Sequence, residues 1–169
     1  DCIEEKWGRD IRDALHEQQA KGVITDADLE PHVRRFVALV IVESSGNPLA
    51  KSKPLVADRD PCYGLSQIQP GTGRVFGLPF GEIYNPRKNI FTGVRVLYSY
   101  AEKFSGSIVH GLVAYNIGPH NGAWKFPRFH RNAENFQYAR DVERTRLVLE
   151  RVALMRTQKP PPVEDPAAG

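Results

Sequence analysis

The stretch FVALVIVESSGNP, residues 36–48, decides the fold. An apolar run from Phe36 to Val42 leads straight into Glu43, and two serines, Gly46 and Pro48 then turn the chain. Val37, Val40, Ile41 and Val42 are β-branched and would suit a strand. The residues upstream favour a helix: Asp26 or Asp28 can cap it, Pro31 is tolerated in its first turn, and the length from Asp28 to Ser44 is helical rather than strand-like. Glu43 is then expected in the last turn of a buried helix. There the negative end of the helix dipole and the apolar neighbours both favour the protonated acid near neutral pH. A carboxyl group kept protonated is what a general acid for glycoside cleavage requires.

On either side of this helix the chain punctuates itself. Ile3, Trp7, Ile11, Ala14 and Leu15 recur at helical spacing from Ile3 to Lys21, and Gly22 ends the pattern. Residues 47–63, NPLAKSKPLVADRDPCY, hold three prolines and no sustained period, which predicts an irregular lobe or a short hairpin. A short helix is expected from Pro70 or Gly71 to Phe76. A longer one, started by Asn85 and Pro86 and reaching Phe104, sets Ile90, Val94, Leu97, Ala101 and Phe104 on one face. A further helix from about Ser107 carries Ile108, Leu112 and Tyr115 until NIGP (116–119) breaks it, and the last runs from about Ala133 to Met155. The expected fold is mainly α, a helical domain over residues 1–157 with one small irregular or β-hairpin lobe. A proline-rich tail or linker over residues 158–169 has nothing to pack.

The chain has 169 residues, 41% of them hydrophobic and 25% charged, which fits one folded domain with a well-filled core. The run from Phe36 to Val42 falls far short of the roughly 20 apolar residues that a membrane-spanning helix needs. No charged-then-apolar leader precedes Asp1, so an export signal is expected to have been removed or never present. A net charge of +3 is too mild to argue for nucleic acid, though it suits an anionic polymer or surface. His16, His32, His110, His120 and His130 show no metal-binding spacing, and neither serine beside Glu43 sits in a nucleophile elbow. No metal, cofactor or serine nucleophile is expected. Cys2 and Cys62 lack the spacing of a redox pair; either they are free thiols or they tie the N-terminus to the lobe, which would need an oxidising compartment.

Four stretches follow Glu43 in order: YGLSQIQPGTG (63–73), NIFTGVRVL (89–97), VAYNIGP (113–119) and YARDV (138–142). With them the chain resembles the soluble lytic transglycosylase family (SLT domain) of the lysozyme superfamily, related to goose-type lysozyme, from about Val40 to Val142. The resemblance implies a lysozyme-like helical fold with Glu43 as catalytic acid/base. Ser44 would support the catalytic turn, and Gln67, Tyr115, Asn116 and Tyr138 would line a saccharide groove. Aromatic faces and amides are what sugar recognition uses. Gly64, Gly93 and Gly118 would shape the groove rather than react. Three positions depart from the family pattern: Ser66 stands in place of methionine, Val96 where an aromatic is common, and Ile117 in place of a small residue.

The resemblance further implies peptidoglycan glycan strands as the partner and a periplasmic or cell-envelope location; a cell-envelope or secretion-system assembly stays open as a further partner, and wall turnover, secretion, a phage particle and attack on other cells stay open as roles. The expected reaction cleaves the bond between N-acetylmuramic acid and N-acetylglucosamine, leaving a 1,6-anhydro sugar. Two other readings stay open. The interval from Glu43 to Gly64 is somewhat longer than usual for the family and contains Asp58 and Asp60, either of which could serve a goose-type-like hydrolase as second acid. A glycan-binding module without turnover is the other.

Overall fold

The computed structural model describes residues 3–24, 29–53, 60–118 and 133–157. Their helices are α1 (Ile3–Ala20), α2 (Leu29–Ser44), α3 (Pro70–Val75), α4 (Pro86–Glu102), α5 (Ile108–Ile117) and α6 (Ala133–Thr157), with a 3₁₀ turn at Phe80–Glu82. Cys2, Asp58 and residues 158–169 lie outside the described residues, and with them the cysteine pairing and the tail.

The FVALVIV run is helical, and its surroundings explain why. Phe36, Val37, Ala38, Leu39 and Val40 are each no more than 1% exposed, so α2 is apolar all round over this turn, as a central helix must be. Helix α1 packs on one side of it and α6 on another, while α4 bridges α1 and α5. Ile11, Leu15, Val33, Ile90, Val94, Leu97, Leu112 and Val142 fill the space between them. Burial of this many large apolar side chains, at about 1.5–3 kcal/mol each, overrides the β preference of the valines.

Local signals set the remaining boundaries. Asn85 caps α4 by accepting from the Lys88 N–H at 3.0 Å, and Pro86 takes the first helical position. This helix ends at Glu102, not at the expected Phe104. Residues 103–106 close into a turn in which the Gly106 N–H returns to the Ala101 carbonyl and Ser105 and Gly106 both take positive φ. Helix α5 runs two residues past Tyr115, through Asn116 and Ile117, and stops at Gly118, whose φ is 81°.

The lobe combines both expectations. It has no extended strand among the described residues, but Lys51 pairs with Tyr63 and Tyr63 with Ile68 in antiparallel bridges. Tyr63, Ile68, Leu78, Ile83, Val96 and Tyr100 form a second apolar cluster beneath it. No described helix is long and apolar enough to cross a membrane.

Candidate active site

Glu43 reaches the surface of the core because α2 ends beside it. Ser45 and Gly46 both take positive φ, which turns the chain away. The Ser44 hydroxyl lies 3.0 Å from the Val40 carbonyl and 2.8 Å from that of Leu65. It therefore ties the last turn of α2 to the loop at residues 63–68.

From α6, the Tyr138 hydroxyl donates to Glu43 Oε1 at 2.5 Å. From α5, the Tyr115 hydroxyl donates to the Ser66 carbonyl at 2.6 Å. Burial raises the Glu43 carboxyl from 4.5 to about 7, against the opposing pull of the Tyr138 hydrogen bond. Apolar neighbours thus do what the sequence predicted, since the charged form is the one that loses water. Both phenols are pushed well above 10, first by burial and then by the Glu43 charge. Tyr115 and Tyr138 therefore stay neutral donors beside an acid that titrates near neutrality.

The loop at 63–68 is held by a residue to which the sequence reading gave no role. Asn89 of α4 is fully buried. Its Oδ1 accepts the Ser66 N–H at 2.7 Å, and its Nδ2 donates to the carbonyls of Tyr63 (3.0 Å) and Ile83 (2.9 Å). One amide thereby bonds three backbone groups, of which the Tyr63 carbonyl also accepts the Ile68 N–H at 2.9 Å. The available signal was an asparagine at the start of the apolar face of α4, where a polar side chain needs a buried partner. Glycine is required opposite it: a Cβ on Gly64, whose φ is +75°, would lie 2.5 Å from Asn89 Nδ2, and one on Gly93 would lie 2.5 Å from Ser66 Oγ.

Gln67 takes φ 47° at the end of this turn, and its Nε2 donates to the carbonyls of Gly64 at 2.8 Å and Ala50 at 3.3 Å. Gln67, Tyr115 and Asn116 share the lining of a cleft of about 570 Å³. Glu43, Ser44 and Tyr138 are not among its lining residues; Tyr115, which is, feels the Glu43 charge. Among the departures from the family pattern, Val96 and Ile117 line the cleft, whereas the Ser66 side chain is fully buried, with its hydroxyl near Gly93. The first two alter the groove wall and the third alters packing beneath it. Asp60 also lines the cleft and is exposed; Asp58 lies outside the described residues. Among the described residues no group of three His, Cys, Asp or Glu side chains is placed to hold a metal ion.

The sequence pattern of the Transglycosylase SLT domain matches residues 28–137, the span that carries Glu43, the Asn89-held loop and Tyr115. This chain belongs to the SLT domain family. A solved structure with the same fold is the lytic transglycosylase Slt from Pseudomonas aeruginosa, determined as an inactive glutamate-to-glutamine mutant. It matches 83% of this chain at 21% identity with a TM-score of 0.60, and this chain spans 24% of its length. The SLT assignment accounts for the mainly helical, lysozyme-like architecture and for a family-level link to peptidoglycan cleavage.

Proposed function

We propose that this domain is a peptidoglycan lytic transglycosylase that uses Glu43 as its one catalytic carboxyl group. The observation that carries the reading is a half-buried acid, raised to about 7, whose hydrogen-bond partner is a neutral phenol. Tyr138 donates to Oε1, so the acid proton belongs on Oε2. That proton passes to the glycosidic oxygen as the bond to the muramoyl anomeric carbon breaks. The substrate's own N-acetyl group stabilises the cationic carbon. Glu43, now a carboxylate, takes the proton of the muramoyl 6-hydroxyl while that oxygen bonds to the anomeric carbon, and the acid is restored without water. An internal hydroxyl held at the reacting carbon has a large effective concentration over solvent.

Gln67, Tyr115 and Asn116 supply the amide and aromatic surfaces for the sugars, with Ser44 steadying the turn. A wall substrate places the domain in the periplasm or cell envelope, and residues 1–157 are taken as the catalytic unit with 158–169 as its tail.

Asp60 gives the hydrolase alternative its one observation, since it shares the cleft. The products decide between them. Digestion of purified peptidoglycan should yield muropeptides ending in 1,6-anhydro-N-acetylmuramic acid, lighter by one water than hydrolytic products. Chiefly reducing-end products, suppressed by Asp60→Asn or Asp58→Asn, would replace the lyase with a hydrolase. Glycan binding with neither product would leave a binding module.

A further inference from the structure

Helix α6 turns Val142 and Leu149 toward the core but leaves another face uncovered. Leu147, Val148, Val152, Leu154 and Met155 are between 41% and 61% exposed. A contiguous apolar surface of this kind is unfavourable in water and marks a place where something docks. Positions 147, 151 and 154 recur at steps of four and three, and 148, 152 and 155 repeat those steps beside them, so all six lie on one helix face.

The face is not purely apolar. Followed from its start, the central row reads Arg144, Leu147, Arg151, Leu154, with arginine and leucine alternating. Both arginines are exposed, and neither guanidinium has a partner among the described residues. The carboxylates nearest them in the chain are engaged elsewhere, Glu143 by Arg35 and Arg146 and Glu150 by Arg146.

Charge and pattern choose the occupant. A second copy laid antiparallel on the same face would set arginine against arginine, and like charges across an interface are costly. A helix lying on a bilayer keeps its cations on the polar face, whereas Arg144 and Arg151 stand in the middle of the apolar one. What fits both features is a helix with leucines to interlock and acids to pair, as in a coiled coil whose charges fix the register. At the far end, Leu154 borders a depression of about 250 Å³ between α6 and Arg34 of α2, where an apolar side chain of such a helix can seat.

We infer that this face of α6 docks an amphipathic helix of a partner protein, one whose apolar stripe carries two carboxylates seven residues apart, opposite Arg144 and Arg151. The surface shares no residue with the site at Glu43, so it stands or falls apart from the chemistry proposed there.

The probe is a synthetic peptide of three heptads, with leucines on its apolar stripe and glutamates at two stripe positions seven residues apart. Two sister peptides carry glutamine or lysine at those positions. Fluorescence anisotropy at physiological salt should show the glutamate peptide bound about tenfold more tightly than the glutamine one, roughly threefold for each partly covered ion pair, with the lysine peptide weakest. Arg144→Glu together with Arg151→Glu, both on exposed positions that leave the core untouched, should reverse the order and favour the lysine peptide. The same reversal at the exposed Arg9 of α1 should leave the wild-type order in place, and Leu147→Ser with Leu154→Ser should abolish binding of all three. No binding of any peptide, equal affinity for the glutamate and glutamine forms, or an order that survives charge reversal at 144 and 151 overturns the assignment. So does a dimer in sedimentation velocity that Leu147→Ser breaks, which would make the occupant a second copy. Binding to phosphatidylglycerol vesicles that needs the same two arginines would likewise replace the partner helix with a membrane.

Discussion

Glu43 and Glu143 are bound across the same helix pair, each by a side chain of the other helix. Glu43 of α2 takes a hydrogen bond from Tyr138 of α6, and Glu143 of α6 takes one from Arg35 of α2. Their acidities diverge nonetheless. Burial raises both. At Glu143, Arg35 and Arg146 outweigh it and bring the carboxyl below its ordinary 4.5, whereas at Glu43 a phenol without charge cannot, and the carboxyl rises to about 7. One interface therefore holds a permanent anion that ties helices together and a titrating acid that is free to give up its proton. Among the described residues, two arginines pair with the first and a phenol alone with the second.

Removing the titrating acid should have the largest effect. Glu43→Gln keeps size and polarity but cannot transfer a proton, so cleavage of peptidoglycan should fall by about a thousandfold or more, within the range general acids contribute, with an unchanged circular dichroism spectrum. Wall-clearing activity close to wild type would remove Glu43 from the mechanism.

The structural carboxylate should respond in stability instead. Glu143→Gln leaves Arg35 and Arg146, whose side chains are 14% and 15% exposed, without their shared anion. Breaking a buried pair costs about 3–5 kcal/mol, and the partial exposure here reduces that to about 2 kcal/mol at pH 7. Because the folded pKa is depressed, this contribution is present above 4.5 and lost as pH falls through the lower folded value. Urea unfolding should show the full deficit at pH 7 and a progressively smaller one as pH falls below 4.5; a deficit that does not change with pH would mean that packing, not charge, was lost.

How much of this contrast the sequence could reveal differs at its two ends. Glu43 stands at the end of the most apolar run, so both its burial and its raised acidity follow from residues within one turn. Its partner Tyr138 is 95 residues away, and only the resemblance pointed to it. Arg35 and Glu143 are separated by 108 residues and carry no motif, so nothing local could pair them. Asn89 sat inside a quoted motif, yet its role depends on a loop that returns from residues 63–66 to meet it. Asp60 lines the cleft and is exposed, a placement that depends on how the lobe folds back and that its neighbours in sequence could not supply.

The acid site should also carry a stability cost of opposite sign. A folded pKa of about 7 against 4.5 unfolded means that the folded chain holds this proton more tightly. Stability from this group is full below 4.5 and is lost as pH rises through 7. Glu43→Gln has no charge to bury, so it should be more stable than wild type by about 1–2 kcal/mol at pH 8, allowing for partial exposure. At pH 4 the two should match. Chemical unfolding at both values checks this, and a variant less stable at pH 8 would contradict the burial account.

The smallest effect tests whether Tyr138 acts on the acidity of Glu43 or only on its position. Its hydrogen bond favours the carboxylate and so lowers the Glu43 pKa against burial. Tyr138→Phe removes that pull while keeping the ring in place, and burial then acts unopposed. The pKa should move further up, and the alkaline limb of the cleavage profile, which reports loss of the protonated acid, should move from near 7 to higher pH by about half a unit or more. The maximal rate should fall as well, because nothing then fixes which oxygen carries the proton. Tyr115→Phe is the control: its hydroxyl is bonded to the Ser66 carbonyl rather than to Glu43, so its loss should slow the reaction through the groove without moving the limb. A limb that stays put in Tyr138→Phe, or moves toward lower pH, would leave Tyr138 with a purely positioning role.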